Sequence, residues 1–277
     1  MDMLLAIDIG NTNIVLGCIR MPAGEILFTE RLSTDHRKTA LEYALSFRSV
    51  LSLHELKAEA VSDVIISSVV PPITSLISDA LYKLTGKKAM IVGPGIRTGL
   101  NIQMDNPAQV GADLITAAVA GIAQYPCPLI LIDMGTATTI TVIDRNRTYI
   151  GGMIMPGLKV SLDSLTSSTS KLPRIGLDPP KRLIGKNTID CMKSGILYGS
   201  AASMDGMIDR IEDDLGEKAT VVATGGLSER IVPLCRHHIL FDDNLLLKGL
   251  LLIYEKNSPS AHNNGQKEKT HDNTSKA

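Results

Sequence analysis

Two rhythms of apolar and polar positions run along this chain, one of strand period and one of helix period. Leu4 to Ile9 and Leu129 to Asp133 are short apolar runs, closing on Asp-Ile-Gly-Asn and Asp-Met-Gly-Thr respectively. A second β-rich run follows each, 14 to 20 and 138 to 143, so each copy predicts a hairpin and not a strand entering a helix. Between the copies, Leu41, Leu45, Val50 and Leu53 carry helical spacing over 39–57. A strand over 65–70 stopped by Pro71-Pro72, a helix over 73–85 and a strand over 89–92 come next. Asn106-Pro107 reads as a cap with proline in the first turn, and Gly111-Ala112-Asp113 opens a long helix over 113–124.

The second half repeats the scheme. Tyr149-Ile150 extends its β-rich region after a turn at 144–146, a helix continues to about 168, and 173–187 reads as a loop. Helices over 188–199 and 200–215, a strand over 219–223, a Thr224-Gly225-Gly226 loop and a helix over 245–254 complete the pattern. Strands alternating with helices, with the hairpin echo near each start, predict an α/β protein of two half-domains, 1–125 and 126–256. Beyond Asn257 the chain lacks apolar anchors, and 257–277 reads as a disordered tail.

Composition narrows the partners. Lys plus Arg number 28 against 29 for Asp plus Glu, so no broad field recruits nucleic acid or an anionic membrane. Aromatic residues at 3%, with no Trp, leave little surface for base stacking. No apolar run reaches the roughly 18 residues of a membrane span, and the start lacks a basic leader. Cys18, Cys127, Cys191 and Cys235 are too dispersed for a zinc knuckle and read as reduced, mostly buried thiols, which points to the cytoplasm.

Candidate chemistry concentrates at the echo. A glycine after Asp8 or Asp133 lets successive N–H groups face a ligand oxygen while the carboxylate stays at the strand end. Asn11, Thr12 and Asn13 add short hydrogen-bonding side chains; a ligand-free Asx-type turn is the alternative. Carboxylates at the ends of apolar strands suit cations near phosphates, or cap their own turns. Asp113, in a first helical turn, suits a proton acceptor or a second N-cap. Thr224-Gly225-Gly226 suits close approach of a ligand, Gly151 to Gly157 a mobile connection, and Lys181, Arg182 and Lys186 either a solvated face or an anion contact. A P-loop and a nucleophile elbow are absent, and His237-His238 lacks a third metal ligand at useful spacing.

The blocks Asp8-Ile9-Gly10-Asn11-Thr12, Thr98-Gly99-Leu100, Asn106 to Asp113, Asp133 to Thr138, Gly152 with Pro156-Gly157, Thr169 to Pro173, and Gly185-x-x-Thr188 before Ser194-Gly195 occur in a specific order and spacing. In these the chain resembles the type III pantothenate kinases of the actin, hexokinase and Hsp70 superfamily, from Leu4 to about Glu255. The resemblance implies duplicated ribonuclease-H-like domains, a homodimer with its substrate pocket at the interface, and ATP-dependent phosphorylation of pantothenate toward coenzyme A. It implies Asp113 as general base, and nucleotide contacts from Asp8, Ile9, Gly10, Asn11, Thr12, Asn13, Ile14, Val15 and Thr136, with magnesium near Asp8. It further implies Asp133 at a potassium or ammonium ion, and pantothenate contacts from the positions of Met104, Gly111, Ala112, Asp113, Leu114 and Thr188.

Two positions depart from the family pattern. Leu114 stands where an arginine usually follows the aspartate, and Met104 where a tyrosine commonly precedes Asn-Pro. Both changes remove polar groups from the acceptor pocket and leave the phosphate loops intact. A kinase for another small alcohol, and a nonenzymatic nucleotide-sensing regulator, are the alternatives.

Overall fold

The computed structural model describes residues 2–258. In chain order its elements begin with β1 (Asp2–Ile9), β2 (Asn13–Met21), β3 (Glu25–Ser33), α1 (Ala40–Leu53), β4 (Val61–Ser68), α2 (Pro71–Thr85) and β5 (Ala89–Ile91). Next come β6 (Asn101–Ile102), α3 (Ala112–Gln124), β7 (Leu129–Met134), β8 (Ala137–Ile143), β9 (Thr148–Pro156) and α4 (Leu158–Ser167). The chain closes with α5 (Thr188–Leu215), β10 (Thr220–Thr224), α6 (Ser228–Ile231), β11 (Leu240–Phe241) and α7 (Leu245–Asn257). No helix among the described residues is long and apolar enough to cross a membrane.

Two compact units result, and neither is contiguous in sequence. Among the described residues the first takes 2–99, 108–120 and 246–258; the second takes 100–107 and 121–245. The chain therefore passes from one unit to the other within α3 and again at the start of α7. Residues 101 and 102 join the second unit because they pair in parallel with Thr148 and Tyr149 of β9. Of the tail expected from 257, Asn257 ends α7, and the positions from 259 onward lie outside the described residues.

The first unit is built on a five-stranded sheet of order β3-β2-β1-β4-β5. Strands β1 to β3 are antiparallel neighbours, while β4 and β5 run parallel to β1. Period-2 alternation sends Leu5, Ile7 and Ile9 of β1, with Val64 and Ile66 of β4, into a core completed by Tyr43 and Phe47 of α1 and Ile73 and Ile77 of α2. A capping box holds the start of α1, Glu42 N–H donating to Thr39 Oγ1 and Thr39 N–H to Glu42 Oε2. Helix α2 starts on two prolines and stops at left-handed Gly86. The other face of the sheet carries Leu4, Ala6 and Asp8, and helix α7 lies on it. A Cβ on Gly17 would sit 2.5 Å from Leu247, and one on Gly249 would strike the Thr116 carbonyl of α3, so glycine lets the backbone approach closely at each contact.

The second unit repeats this order as β9-β8-β7-β10-β11, with β6 added at the β9 edge. Again the first three are antiparallel neighbours and the next two parallel. Ile130, Ile132 and Met134 face a core with Leu197, Met204 and Ile208 of α5. The α/β duplication expected from the half-echo is thus present in the strand topology itself.

Several expectations shift. Residues 188–215 form one 28-residue helix, not two. Gly199-Ser200 does not break it, because a helical glycine costs only about 1 kcal/mol and Ser200 Oγ donates back to the Ile196 carbonyl at 2.7 Å within an otherwise packed helix. The strand expected over 65–70 occupies Val61–Ser68, which pairs with β1 at seven register positions from Met3–Val61 to Ile9–Ser68. Edge strand β3 escaped detection because its half-buried, charge-rich pattern lacks a clean alternation. Cysteine burial is less uniform than expected: Cys18 is buried, Cys127 and Cys235 are half-buried, and Cys191 is exposed, all as free thiols.

Candidate active site

In the first unit the candidate residues gather at the carboxyl end of β1 and β4. Asp8 is the penultimate residue of β1 and only 9% exposed. Gly10 N–H donates to the Asn13 carbonyl at 2.9 Å, closing the turn, and Thr34 Oγ1 donates to the Gly10 carbonyl at 2.7 Å. This leaves Asn11, Thr12 and Asn13 exposed on a loop fixed at both ends. Ile9 and Ile14 are fully buried in the core, so any ligand contact from them is through the backbone.

Asp113 lies at the same end of that sheet. Val69, just past β4, donates its N–H to the Ile9 carbonyl at 3.1 Å, and Val69 in turn lies against Gly111. A Cβ on Gly111 would stand 2.5 Å from Asp113 Oδ1, so a glycine here admits the carboxylate. Ile115 N–H donates to the Gly111 carbonyl, which makes Gly111 the helix cap and places Asp113 inside the first turn. Its Oδ1 accepts from Leu114 N–H at 2.8 Å. Burial raises the Asp113 carboxyl above its ordinary range, and the backbone N–H groups of Leu114 and of Asp113 itself offset only part of the effect. A desolvated carboxylate with a raised pKa is a better proton acceptor than an ordinary surface aspartate.

The second unit repeats the turn. Gly135 N–H donates to the Ala137 carbonyl at 3.0 Å, and Thr136 is exposed at the tip. Asp133 is half-buried beside Gly225, whose backbone is left-handed with φ of 90°. A Cβ there would sit 2.5 Å from Asp133 Oδ1 and 2.8 Å from the Met134 carbonyl oxygen. One on Gly157 would strike the carbonyl oxygens of Gly135 and Thr136. Two glycines thus make room for a carboxylate and three carbonyl oxygens around this loop, a donor set suited to a hard cation. Thr188 is exposed at the start of α5, next to the Asn187 cap, and Met104 is 37% exposed after β6. Lys181, Arg182 and Lys186 are all exposed.

His237 is better supplied than its sequence spacing suggests, since the fold brings Asp209 and Glu212 within 4.8 Å of it. These groups satisfy one another: His237 pairs with Asp209 at 2.9 Å, while Glu212 receives Lys218 at 2.5 Å and the Ala219 N–H at 3.1 Å. These contacts tie His237 and Lys218 to the acidic face of α5. Sequence reasoning passed over the buried hydroxyl of Ser67 and read Thr224 only as part of a ligand-approach loop; each stands opposite an echo aspartate in the parallel register. A signal existed in the chain: each is a polar residue closing an apolar strand run.

A sequence model of the type III pantothenate kinase family matches residues 4–210. The type III pantothenate kinase of Exiguobacterium sp. strain AT1b is 46% identical over 256 residues, spanning 92% of this chain and 99% of that protein. The chain belongs to the type III pantothenate kinase family. Solved structures agree on the fold. The activator of 2-hydroxyisocaproyl-CoA dehydratase from Clostridium difficile, with bound ADPNP, superposes with a TM-score of 0.56 at 14% identity, covering 96% of this chain and 97% of that one. The ethanolamine utilization protein EutJ of Carboxydothermus hydrogenoformans gives 0.51 at 12% identity, covering 91% and 88%. These likenesses show a shared fold of two α/β sheet units.

Proposed function

We propose that Asp113 and Asp8 divide the chemistry of a pantothenate kinase between them. The reaction is ATP-dependent phosphorylation of pantothenate to 4′-phosphopantothenate, the first step of coenzyme A biosynthesis. The observation that carries the division is the desolvated Asp113 carboxylate at the same sheet end as the nearly buried Asp8.

In this reading the Asp8 to Val15 segment and Thr136 contact the nucleotide, with the exposed Asn11, Thr12 and Asn13 offering side-chain hydrogen bonds and the loop N–H groups facing phosphate oxygens. Asp8 would hold magnesium, which would supply charge neutralisation on the phosphoryl oxygens. Asp113 orients the primary hydroxyl of pantothenate and takes its proton as that oxygen bonds to the γ-phosphorus and the bond to the β-phosphate oxygen breaks, releasing ADP. Gly111, Ala112 and Thr188 contribute to the acceptor pocket, together with Leu114 and Met104.

Asp133 is assigned to a monovalent cation, potassium or ammonium. The oxygen set around Gly225 and Gly157 supports this. Gly225→Ala places a methyl group against the Asp133 carboxylate in a backbone region costly to alanine, at about 1–3 kcal/mol. It is expected to lower Tm by several degrees and raise the potassium concentration for half-activation; an unchanged potassium titration counts against the Asp133 assignment.

Homodimer formation is supported by the exposed apolar side chains Ile154, Val160, Leu183, Ile184 and Ile189 of the second unit, which a second copy would cover. A cytoplasmic setting is supported by four free thiols. The test of the function is phosphorylation of pantothenate and a panel of small alcohols with ATP and magnesium, in potassium, ammonium or sodium. Rapid 4′-phosphopantothenate formation is expected. Nucleotide binding without phosphorylation of any acceptor would favour the regulator, and preference for another alcohol would favour the altered kinase.

A further inference from the structure

Ser67 is fully buried, and its Oγ has no hydrogen-bond partner among the described residues. A buried hydroxyl left in this state is destabilising, and alanine would fill the same space without that cost. Its position gives it a use. Ser67 stands opposite Asp8 in the parallel register of β1 and β4, and paired residues in a sheet present their side chains on the same face. That face is the one opposite Val64, Ile66, Leu5, Ile7 and Ile9, away from the apolar core of the unit. Two residues further along, Val69 meets Gly111 beside the Asp113 carboxylate. Ser67 is therefore a buried polar group at the sheet end that holds both carboxylates.

The arrangement is repeated. In the second unit Thr224 stands opposite Asp133 in the parallel register of β7 and β10, is 1% exposed, and its Oγ1 likewise has no partner among the described residues. Neighbouring Ser68 shows the contrast, since its hydroxyl accepts from Thr74 Oγ1 at 2.6 Å and from Val70 N–H at 3.1 Å. A serine serving the local backbone looks like Ser68; Ser67 has no such structural employment.

We infer that Ser67 is a positioning residue of the phosphoryl-transfer site: the hydroxyl, unpartnered in the ligand-free protein, donates to the Asp8 carboxylate when magnesium and nucleotide bind and fixes the rotamer in which that carboxylate would hold the ion. The inference rests on the assignment of Asp8 to the magnesium and nucleotide site. A hydroxyl bound to a carboxylate also leaves one carboxylate oxygen directed outward, which is the arrangement a hard cation needs from a single aspartate.

The experiment measures nucleotide affinity with and without magnesium, and thermal stability without ligands, for Ser67→Ala, Asp8→Asn and the double variant. Ser67→Ala should lower magnesium-dependent nucleotide affinity roughly tenfold and leave magnesium-free affinity unchanged. Its ligand-free Tm should equal or exceed that of the parent protein, since no hydrogen bond is lost. In the Asp8→Asn background the same change should have no further effect on affinity, the signature of one residue acting through another. Unchanged magnesium dependence in Ser67→Ala beside a large loss in Asp8→Asn overturns the Ser67 role alone. A flat response of Asp8→Asn overturns the Asp8 assignment and the inference with it. A fall in ligand-free Tm for Ser67→Ala, or additive losses in the double variant, shows a structural hydroxyl and likewise overturns it.

Discussion

Asp113→Asn is expected to reduce turnover of pantothenate by roughly a hundredfold to ten-thousandfold while ATP binds within about a factor of two of the parent affinity, the range for a positioned proton acceptor. The asparagine keeps the size of the side chain and its acceptor oxygen, so Leu114 N–H, 2.8 Å from Asp113 Oδ1, keeps a partner. What disappears is basicity. Because the amide cannot take the hydroxyl proton, the loss should fall on kcat, with little change in the KM for ATP.

The pH profile carries the same argument further. Burial raises the Asp113 pKa, so the parent kcat/KM should begin to fall, as pH decreases, at a higher pH than the ordinary aspartate value of about 3.9 would give. That acidic limb should be missing from the residual activity of Asp113→Asn. Stability moves in the opposite sense. A carboxylate whose folded pKa is raised favours the folded state below its unfolded pKa, and this contribution is lost as pH rises through the folded value. Asp113→Asn carries no such loss. Its Tm should therefore match or exceed the parent's at neutral pH, and the advantage should vanish well below pH 4. Full turnover at saturating substrates would remove Asp113 from the proton-acceptor role, and a collapsed Tm would show that the carboxylate is structural.

The strand framework was legible because Asp-x-Gly after an apolar run is a local signal, and the repetition of one such signal at residues 8 and 133 encodes a duplicated topology. What escaped was set by long-range pairing. Ser67 acquires its meaning only when β4 lies parallel to β1 in a register that places it opposite Asp8, a relation spanning some 59 positions that no local spacing contains. Asp133 and the Thr224-Gly225 loop could each be read from the sequence, but the pairing of Thr224 with Asp133 and the closeness of left-handed Gly225 to the Asp133 carboxylate are tertiary facts. Asp113 was the intermediate case. Its first-turn position could be read directly, and the Ile115 bond to Gly111 places the helix cap at Gly111, leaving the proton-acceptor role as the proposal that the Asp113→Asn variant tests. Unit boundaries were hidden for a related reason: α7 is remote in sequence but packs through Gly249 on α3 and through Leu247 on β2.

Leu114→Arg is expected to lower the KM for pantothenate about ten- to hundredfold, with the KM for ATP unchanged. The residue follows Asp113 in the first turn of α3 and is half-buried. A leucine there offers no group to the carboxylate or hydroxyls of pantothenate, whereas a guanidinium supplies charge-assisted hydrogen bonds worth about 1.5–3 kcal/mol. Such a gain is tenfold or more in affinity. Met104→Tyr adds one neutral hydroxyl from a position already 37% exposed, so it should fit without a new burial cost and contribute a smaller improvement. If both side chains touch the bound acceptor in its ground state and in the transition state alike, kcat stays constant and only KM moves. The measurement is steady-state kinetics on pantothenate for each single variant and the pair, with Tm as the control on folding. An unchanged pantothenate KM in a folded Leu114→Arg protein would show that this position is not where the pocket lost its affinity. A fall in pantothenate KM accompanied by lost turnover on another alcohol that the parent prefers would instead identify Leu114 as a determinant of acceptor choice, because a charged group that rewards a carboxylate penalises an apolar substrate at the same site.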